Sequence, residues 1–413
     1  MLNVEMFSGN LFLVCETILP PLQKRSLPGK MKDEKTHHMR LIVTGGGTGG
    51  HLFPGISLAQ AMMRAYPGCE VLFIGTERKV DQTALADLGF TTMTIKSQGI
   101  KGMHPAAKIK AMLRQPAALL EAAGIIRKFK PDLVFGVGGY VTGPVILAAR
   151  LLGIRTCIHE QNSIPGLANK MLGHIVHRIF VSLPGSEKYF PAGKTILSGN
   201  PVRRTIVTAA SEMNREKIQQ DPMTLLILGG SQGARRLNSL MLEAAERCLA
   251  KLESKPDIIH QTGEHDENQV REKYASLGIN ARVQPFFTDM AEIYSQADLA
   301  ISRAGATTLA ELTVFHKPVV LVPYPYAADN HQEINARYLV DAGAGLMYKE
   351  SELDGERLGR EIKRLLADTE LLASMAANSG RIAKPEATGT IVAGCMELLK
   401  DRFQDNSGKI LAF

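Results

Sequence analysis

The 413-residue chain has no tryptophan, and aromatic residues make up only 6% of it. Any lipid-facing surface would therefore rest on Met, Ile, Leu and basic side chains rather than on indoles at a membrane interface. Its five cysteines, Cys15, Cys69, Cys157, Cys248 and Cys395, are scattered, odd in number and free of any C-x-x-C pair. That pattern excludes a disulfide framework and a cysteine-built metal site, and reads as reduced thiols of a cytosolic protein. His174 and His177 stand at helical spacing, but no further ligands accompany them, so no metal is expected. No apolar run reaches the roughly 18 residues needed to span a bilayer. With 45% hydrophobic and 22% charged residues, what remains is an ordinary globular composition, long enough for two domains with separate cores.

Two segments stand apart from this average. In residues 1–38, the apolar stretch from Leu11 to Leu19 is broken by Glu16 and lacks a basic n-region and a small-residue cleavage site, so a signal peptide fits poorly. The expectation for 1–38 is a disordered extension or an over-long start assignment, with a weak membrane-surface anchor as the other reading. The second segment runs from Lys96 to Lys130. It holds Lys96, Lys101, Lys108, Lys110, Arg114, Arg127, Lys128 and Lys130 against Glu121 alone, a surplus equal to the +7 of the whole chain. Met103, Ile109, Met112 and Leu113 are interleaved. Such a segment suits an anionic membrane surface, where each Lys or Arg contributes about 1 kcal/mol. A solvated helix with its apolar side in the core accounts for it equally well. Nucleic acid ranks last, because aromatic interleaving is slight and no binding motif is present.

What the chain does have is one unit twice. Leu41-Ile42-Val43-Thr44 runs into Gly45-Gly46-Gly47-Thr48-Gly49-Gly50-His51, and Leu225-Leu226-Ile227-Leu228 runs into Gly229-Gly230-Ser231-Gln232-Gly233-Ala234. An apolar strand, a glycine turn and a helical segment together bring backbone close to a ligand and offer unpaired N–H groups to an anion. Strand candidates at 40–44, 70–74, 91–96, 132–137, 155–159, 178–182 and 194–197, and again at 224–228, 257–261, 282–285, 299–302, 319–322 and 345–348, alternate with helical patterns. Those helices include 56–65, 117–129, 143–152, 236–253, 290–295, 307–314, 334–342, 356–367, 371–378 and 387–399. Apolar strands each followed by a helix imply two α/β, doubly wound parallel sheets, with ligands beyond the C-terminal strand ends. Ser198-Gly199-Asn200-Pro201 breaks any regular element and marks the boundary. The expected division is 39–198, a hinge and linker at 199–222, 223–380, and a closing helix in 381–402.

The chemistry follows from a few constellations. Gly45, Gly47 and Gly50 satisfy G-x-G-x-x-G, but no acidic residue ends the second strand, where Ile74-Gly75-Thr76 precede Glu77, so an NAD-dependent oxidoreductase is disfavoured. His51 reads either as a general base, with an unperturbed pKa of ~6.5, or as a histidine that fixes the loop. Gly138-Gly139-Tyr140 forms a third glycine turn, which either lines a pocket or packs backbone onto the sheet. His159-Glu160-Gln161-Asn162 places four polar groups at a strand end, costly if buried unpaired, and favours a ligand site. Glu311, one turn into the helix after Ser302-Arg303-Ala304-Gly305, can accept from both hydroxyls of a ribose; the alternative is a first-turn Glu favoured by the helix dipole at about 0.3–1 kcal/mol. The amides and acceptors of 329–335 suit a polyol such as a sugar ring.

These ordered motifs resemble the MurG family of bacterial transferases, which add N-acetylglucosamine to undecaprenyl-diphosphoryl-N-acetylmuramoyl-pentapeptide. The resemblance covers the chain from about Met39 to the closing helix and implies a glycosyltransferase-B fold, two Rossmann-like domains facing a cleft. It implies UDP-N-acetylglucosamine held by Thr48, Gly49 and Gly50 from the first domain, and by Asn162, Arg203 and Ser231. Phe287 would contact uracil chiefly through its backbone; Ala306, Thr307, Thr308, Leu309, Ala310, Glu311 and Gln332 complete the set. Ser231 and its turn would hold a phosphate, Arg203 would offset its charge, Glu311 would hold the ribose, and Gln332 would recognise sugar hydroxyls. No cofactor is implied. The partners implied are UDP-N-acetylglucosamine, the undecaprenyl-linked muramoylpentapeptide and an anionic membrane surface on the cytoplasmic face of the inner membrane. Rival readings are a UDP-N-acetylglucosamine 2-epimerase of related fold, which has no need of the basic patch, and a non-catalytic sugar-nucleotide sensor, which has none for His51.

Overall fold

Strands that are apolar on both faces can be buried only in the middle of a layered structure, and the second residue of each pair then faces the opposite layer. The computed structural model of the chain is built this way; it describes residues 38–46, 49–76, 85–97, 105–213, 222–230 and 233–403, with the side chains of 105–115 and 401–403 left out. Most of the extension at 1–38 therefore lies outside the described residues, as do the side chains of Lys101, Met103, Lys108, Ile109, Lys110, Met112, Leu113 and Arg114.

The first sheet comprises β1 (Arg40–Thr44), β2 (Glu70–Gly75), β3 (Thr91–Thr94), β4 (Leu133–Gly136), β5 (Arg155–Glu160), β6 (Arg178–Val181) and β7 (Thr195–Leu197). The second comprises β8 (Thr224–Leu228), β9 (Asp257–Gln261), β10 (Ala281–Gln284), β11 (Leu299–Ser302), β12 (Val319–Leu321) and β13 (Gly345–Met347). The helices are α1 (Gly49–Ala65), α2 (Pro105–Phe129), α3 (Thr142–Leu151), α4 (Leu167–Gly173), α5 (Arg204–Glu212), α6 (Arg235–Arg247), α7 (Glu267–Ser276), α8 (Met290–Gln296), α9 (Ala306–Val314), α10 (His331–Asp341), α11 (Gly355–Ala367), α12 (Thr369–Ile382) and α13 (Ala387–Phe403). All strand pairs are parallel, in the orders β3-β2-β1-β4-β5-β6-β7 and β10-β9-β8-β11-β12-β13. Each order reverses once, between β1 and β4 and between β8 and β11, which is where an open parallel sheet leaves a crevice at its C-terminal edge.

Burial follows the period of two. Leu41 and Val43 pack with Leu58 and Met62 of α1, whereas Ile42 faces Ala122 and Ile126 of α2 and Val145 of α3. Leu225 and Ile227 meet Leu240 and Met241 of α6 and Ile362 of α11, whereas Leu226 and Leu228 meet Ile293 of α8 and Leu312 of α9. The described part of the stretch expected to be hinge and linker, residues 199–213, is not extended linker. It carries α5, whose Ile206 and Ala210 are buried in the second sheet's core.

Helix α13 lies on the first sheet, burying Ile391, Cys395 and Leu399 among that sheet's residues. Gly394 lets it approach the Phe180 ring, where a Cβ would come within 2.7 Å, and Arg178 holds the Gly394 carbonyl at 2.7 Å and Glu397 at 2.6 Å. The chain thus passes between the sheets twice, after β7 and before α13, and the two passages touch. Gly199 has φ +85°, and a Cβ there would stand 2.7 Å from Lys384 Cβ and 3.1 Å from Ala387 Cβ. Gly199→Ala is expected to lower stability by about 1–3 kcal/mol through the left-handed backbone alone, more with the clash; a chemical denaturation midpoint unchanged from the parent would contradict this.

Candidate active site

The loops after β1 and β5 face those after β8 and β11 across a cavity of about 400 Å³. On the first side it is lined by Gly49, Gly50 and His51 with Gln161 and Asn162; on the second by Gly230 and by Gly305 to Thr308. Helix α1 begins at Gly49, so His51 stands in its first turn rather than closing the glycine turn. Pro54 lies inside this helix and has no N–H to give the carbonyl four residues back, that of Gly50. The Thr307 hydroxyl donates to that carbonyl at 3.2 Å from the opposite side of the cavity. The third glycine turn backs the first: a Cβ on Gly139 would meet the Gly46 carbonyl at 2.8 Å, and one on Gly138 would meet the His51 ring at 3.0 Å.

His51 is held by a chain of hydrogen bonds. Its Nδ1 lies 3.1 Å from Gln161 Oε1, and Gln161 Nε2 lies 2.8 Å from the Val137 carbonyl and 3.1 Å from His159 Nδ1. His159 Nε2 lies 3.2 Å from the Gly199 carbonyl and 3.1 Å from Ser182 Oγ. His159 is fully buried, and burial pushes its pKa down to about 4, so it is neutral at physiological pH. The remaining polar groups of this strand end are satisfied from within. Glu160 accepts from the Asn162 and Gly166 N–H groups and from Asn169 Nδ2 at 3.0, 3.2 and 2.8 Å. The burial cost that suggested a ligand at all four positions is therefore met by the protein itself, and only Gln161 and Asn162 reach the cavity.

On the second side the dominant group is Glu311, whose side chain is 6% exposed. Burial raises its pKa, while Arg203 and the Tyr294 hydroxyl pull it the other way. Arg203 reaches Oε1 at 3.1 Å through Nη2, and Tyr294 donates to Oε2 at 2.9 Å. Burial and the facing carboxylate together push the Tyr294 hydroxyl well above its usual range. The Arg203 guanidinium also lies over the Phe53 ring, 4.9 Å from its centroid. Arg203 and Glu311, read from sequence as partners of phosphate and ribose, are thus first of all partners of each other, as a buried carboxylate requires.

Of the other residues implied by sequence, Thr48 and Ser231 lie outside the described residues. Gly49, Gly50, Asn162, Ala306, Thr307, Thr308 and Gln332 line the cavity. Gln332 Oε1 accepts from the Ala304 and Tyr324 N–H groups at 3.2 and 2.9 Å, bonds that do not engage its amide nitrogen. Three positions differ from expectation. Leu309 and Ala310 lie on the other face of α9, beside a separate cavity of about 40 Å³ with Thr313 and Tyr338, because a helical period carries only 306–308 and 311 to the cleft. Phe287 is buried in the second core, and its N–H is taken by Gln261 Oε1 at 3.1 Å, so Phe286 and Gln261 line the cavity in its place. Sequence reasoning passed over Phe53 and Tyr294, and took Asn335 with the rest of 329–335 as a group suited to a sugar polyol. Asn335 Oδ1 accepts from the N–H and hydroxyl of Ser163, both at 2.9 Å, and its Nδ2 donates to Asn162 Oδ1 and the Ala304 carbonyl, both at 3.2 Å. Fully buried, it links the two sides within the protein. Among the described residues, no group of three or more His, Cys, Asp and Glu could hold a metal ion.

Two doubly wound sheets that meet at their switch points over a polar cleft define the glycosyltransferase-B fold. Residues 41–181 match the glycosyltransferase family 28 N-terminal domain, and residues 224–390 match the family 28 C-terminal domain. The chain is 49% identical over 366 residues to the UDP-N-acetylglucosamine–N-acetylmuramyl-(pentapeptide) pyrophosphoryl-undecaprenol N-acetylglucosamine transferase of Desulfotalea psychrophila, covering 89% of this chain and 98% of that one. It is 43% identical over 368 residues to the like-named protein of Myxococcus xanthus, covering 89% and 95%. The crystal structure of Acinetobacter baumannii MurG superposes with a TM-score of 0.68 at 33% identity, over 87% of this chain and 99% of that one. This chain belongs to the MurG family. A UDP-N-acetylglucosamine 2-epimerase structure, with a TM-score of 0.61 at 16% identity over 89% of this chain and 97% of that one, shares the fold alone.

Tyr294→Phe removes one of the two donors to Glu311 and is expected to cost about 1.5–3 kcal/mol where the carboxylate is ionised. Because losing a donor raises the folded-state pKa of this acid, the cost shrinks as pH falls and the carboxyl takes up its own proton. Urea unfolding of parent and variant at about pH 8 and about pH 5 checks this; equal losses at both contradict it.

Proposed function

We infer that this protein transfers N-acetylglucosamine from UDP-N-acetylglucosamine to the 4-hydroxyl of the muramoyl sugar of undecaprenyl-diphospho-muramoylpentapeptide, making lipid II for peptidoglycan. Its MurG family membership supports both substrates. The observation that carries the reading into the structure is the convergence of His51, Arg203, Glu311 and the start of α9 on one cavity. In this reading residues 39–198 form the acceptor-side domain, 199–222 the hinge and linker, 223–380 the sugar-nucleotide domain and 381–402 the closing segment.

The donor diphosphate would meet the first N–H groups of α9, whose N-cap, Gly305, supplies no side-chain partner of its own. The Ser231 turn would complete this cradle. Glu311 would accept from the ribose hydroxyls without releasing Arg203 or Tyr294, because an ionised carboxylate offers about four lone-pair sites. Arg203 would then turn its remaining N–H groups to the diphosphate charge. Gln332 and Thr308 would meet the sugar. Uracil would lie toward Phe286 and Gln261.

The acceptor hydroxyl is a poor nucleophile and UDP a good leaving group. His51 takes the hydroxyl proton as the oxygen attacks the anomeric carbon, the bond to UDP breaks on the opposite face, and an α-linked donor becomes a β-linked product. Preorganised N–H groups and Arg203 stabilise the departing diphosphate. Labelled UDP-N-acetylglucosamine, incubated with and without the muramoyl lipid, should give acceptor-dependent label transfer and UDP release. His51→Ala should lower kcat by about 10²–10⁴-fold. Turnover close to parent in that variant would remove His51 from the role. UDP-sugar turnover without acceptor would instead favour the epimerase reading.

The lipid acceptor places the work at the cytoplasmic face of the plasma membrane, with the protein peripheral. Among the described residues, no helix is long and apolar enough to cross a membrane. Exposed Leu120 on α2, Leu147 and Leu151 on α3, and Leu167 and Met171 on α4 support surface binding by neighbouring helices of the first sheet. The Leu167→Ser, Met171→Ser double variant should co-sediment several-fold less than parent with anionic phospholipid vesicles, and added salt should weaken both. Equal sedimentation would move the contact elsewhere.

A further inference from the structure

The hydrogen bonds behind His51 determine where its proton sits. The Val137 carbonyl can only accept, so the Gln161 group 2.8 Å from it is the amide nitrogen. The second hydrogen on that nitrogen points at His159 Nδ1, 3.1 Å away, which must therefore be the bare nitrogen of a neutral ring. The His159 proton is then on Nε2, where the Gly199 carbonyl at 3.2 Å takes it and Ser182 Oγ at 3.1 Å shares it. With its amide nitrogen committed, Gln161 presents only Oε1 to His51 Nδ1 at 3.1 Å, and an amide oxygen can only accept. His51 Nδ1 must carry the proton, and Nε2, on a residue that lines the cavity, is left with the lone pair.

We propose that Gln161 is a positioning residue that holds His51 in the Nδ1–H tautomer, so that Nε2 is the atom that accepts the proton of the attacking hydroxyl, and that His159 fixes Gln161 by accepting from its amide. The inference rests on His51 as the base. Each link has one orientation only, because both ends of the chain are backbone carbonyls, those of Val137 and Gly199, which have no proton to give. Gln161 is 2% exposed and His159 fully buried, so bulk water does not compete for these bonds. Gly138 adds a steric stop: its missing Cβ leaves the space that the His51 ring fills. The chain has the logic of a nucleophile–base–orienter triad, with a neutral amide in place of a carboxylate as the group that fixes the tautomer.

The test combines a spectrum with kinetics on the full chain. In ¹⁵N-histidine-labelled protein at neutral pH, two-bond ¹H–¹⁵N correlations should show His51 with a protonated Nδ1 and a bare Nε2. The reverse pattern in the parent protein overturns the proposal whatever the variants do. Gln161→Leu keeps the volume but offers no acceptor. It should let the Nε2–H form of His51 appear and lower kcat by roughly ten- to a hundredfold, less than loss of the base itself, with KM for UDP-N-acetylglucosamine little changed. Gln161→Glu keeps an acceptor and adds charge, so it should recover activity relative to Leu and move the acid limb of the kcat profile upward. Equal losses in the Leu and Glu variants with an unmoved pH profile would reduce Gln161 to a packing role. An active His51→Ala enzyme would instead remove the base assignment beneath the proposal, while leaving the spectroscopic tautomer intact.

Discussion

One buried carboxylate organises the cleft. Glu311 sits where the second sheet's core meets the cavity, and an ion in that place needs partners from every side. The requirement reaches into three parts of the molecule at once. Arg203 comes from the passage between the sheets, Tyr294 from α8 in the second core, and Phe53 of α1 supplies the aromatic face under the guanidinium. Removing either donor leaves the carboxylate, 6% exposed at the cavity wall, short of a hydrogen-bond partner. The geometry of the donor-side wall is thus tied to the connection between the sheets, and a site residue doubles as a structural one.

The opposite wall follows a different rule. Gln161 and His159, which order His51, act through neutral hydrogen bonds, and orientation there comes from which atoms own hydrogens. The chain behind His51 is anchored by two backbone carbonyls, those of Val137 and Gly199. The two walls are joined by short polar links, Thr307 to the Gly50 carbonyl and Asn335 to Ser163 and Asn162. Pro54 makes the first of these available, because its missing N–H leaves a helical carbonyl for a donor outside the helix.

The architecture was legible from sequence because buried parallel strands are short apolar runs. All thirteen strands among the described residues fall where they were expected, with ends within two residues, although β3, Thr91–Thr94, is exposed rather than a buried apolar run. Helices were harder where their composition disguised them. Gly49, Gly50, Pro54 and Gly55 read as breakers, yet α1 runs through them, since its packing against β1 and the cleft outweighs their poor helix propensity. Helix α5 was hidden in a stretch that looked like linker, and α4 is short, with exposed Leu167 and Met171 that follow no core-facing period. Among site residues, the charged and glycine positions were visible because they violate core composition. Tyr294 was not, because a tyrosine on an amphipathic helix looks the same whether or not it faces a partner, and Asn335 was visible only as one of the amides of 329–335. Phe287 and Leu309 each stand one position from a residue that lines the cavity: sequence marks a neighbourhood, and the backbone decides which neighbour faces in.

The meeting of the two chain passages at Gly199 has a mechanical meaning. Two connections that touch at one point behave as a single pivot, and rotation of one sheet against the other moves atoms in proportion to their lever arm from it. The cleft walls stand away from that point, but the carbonyl that anchors His159 belongs to Gly199 itself. Opening and closing would therefore sweep the donor wall through space while leaving the far end of the histidine chain nearly still. The far anchor of the histidine chain is thus set at the very point where the two connections meet.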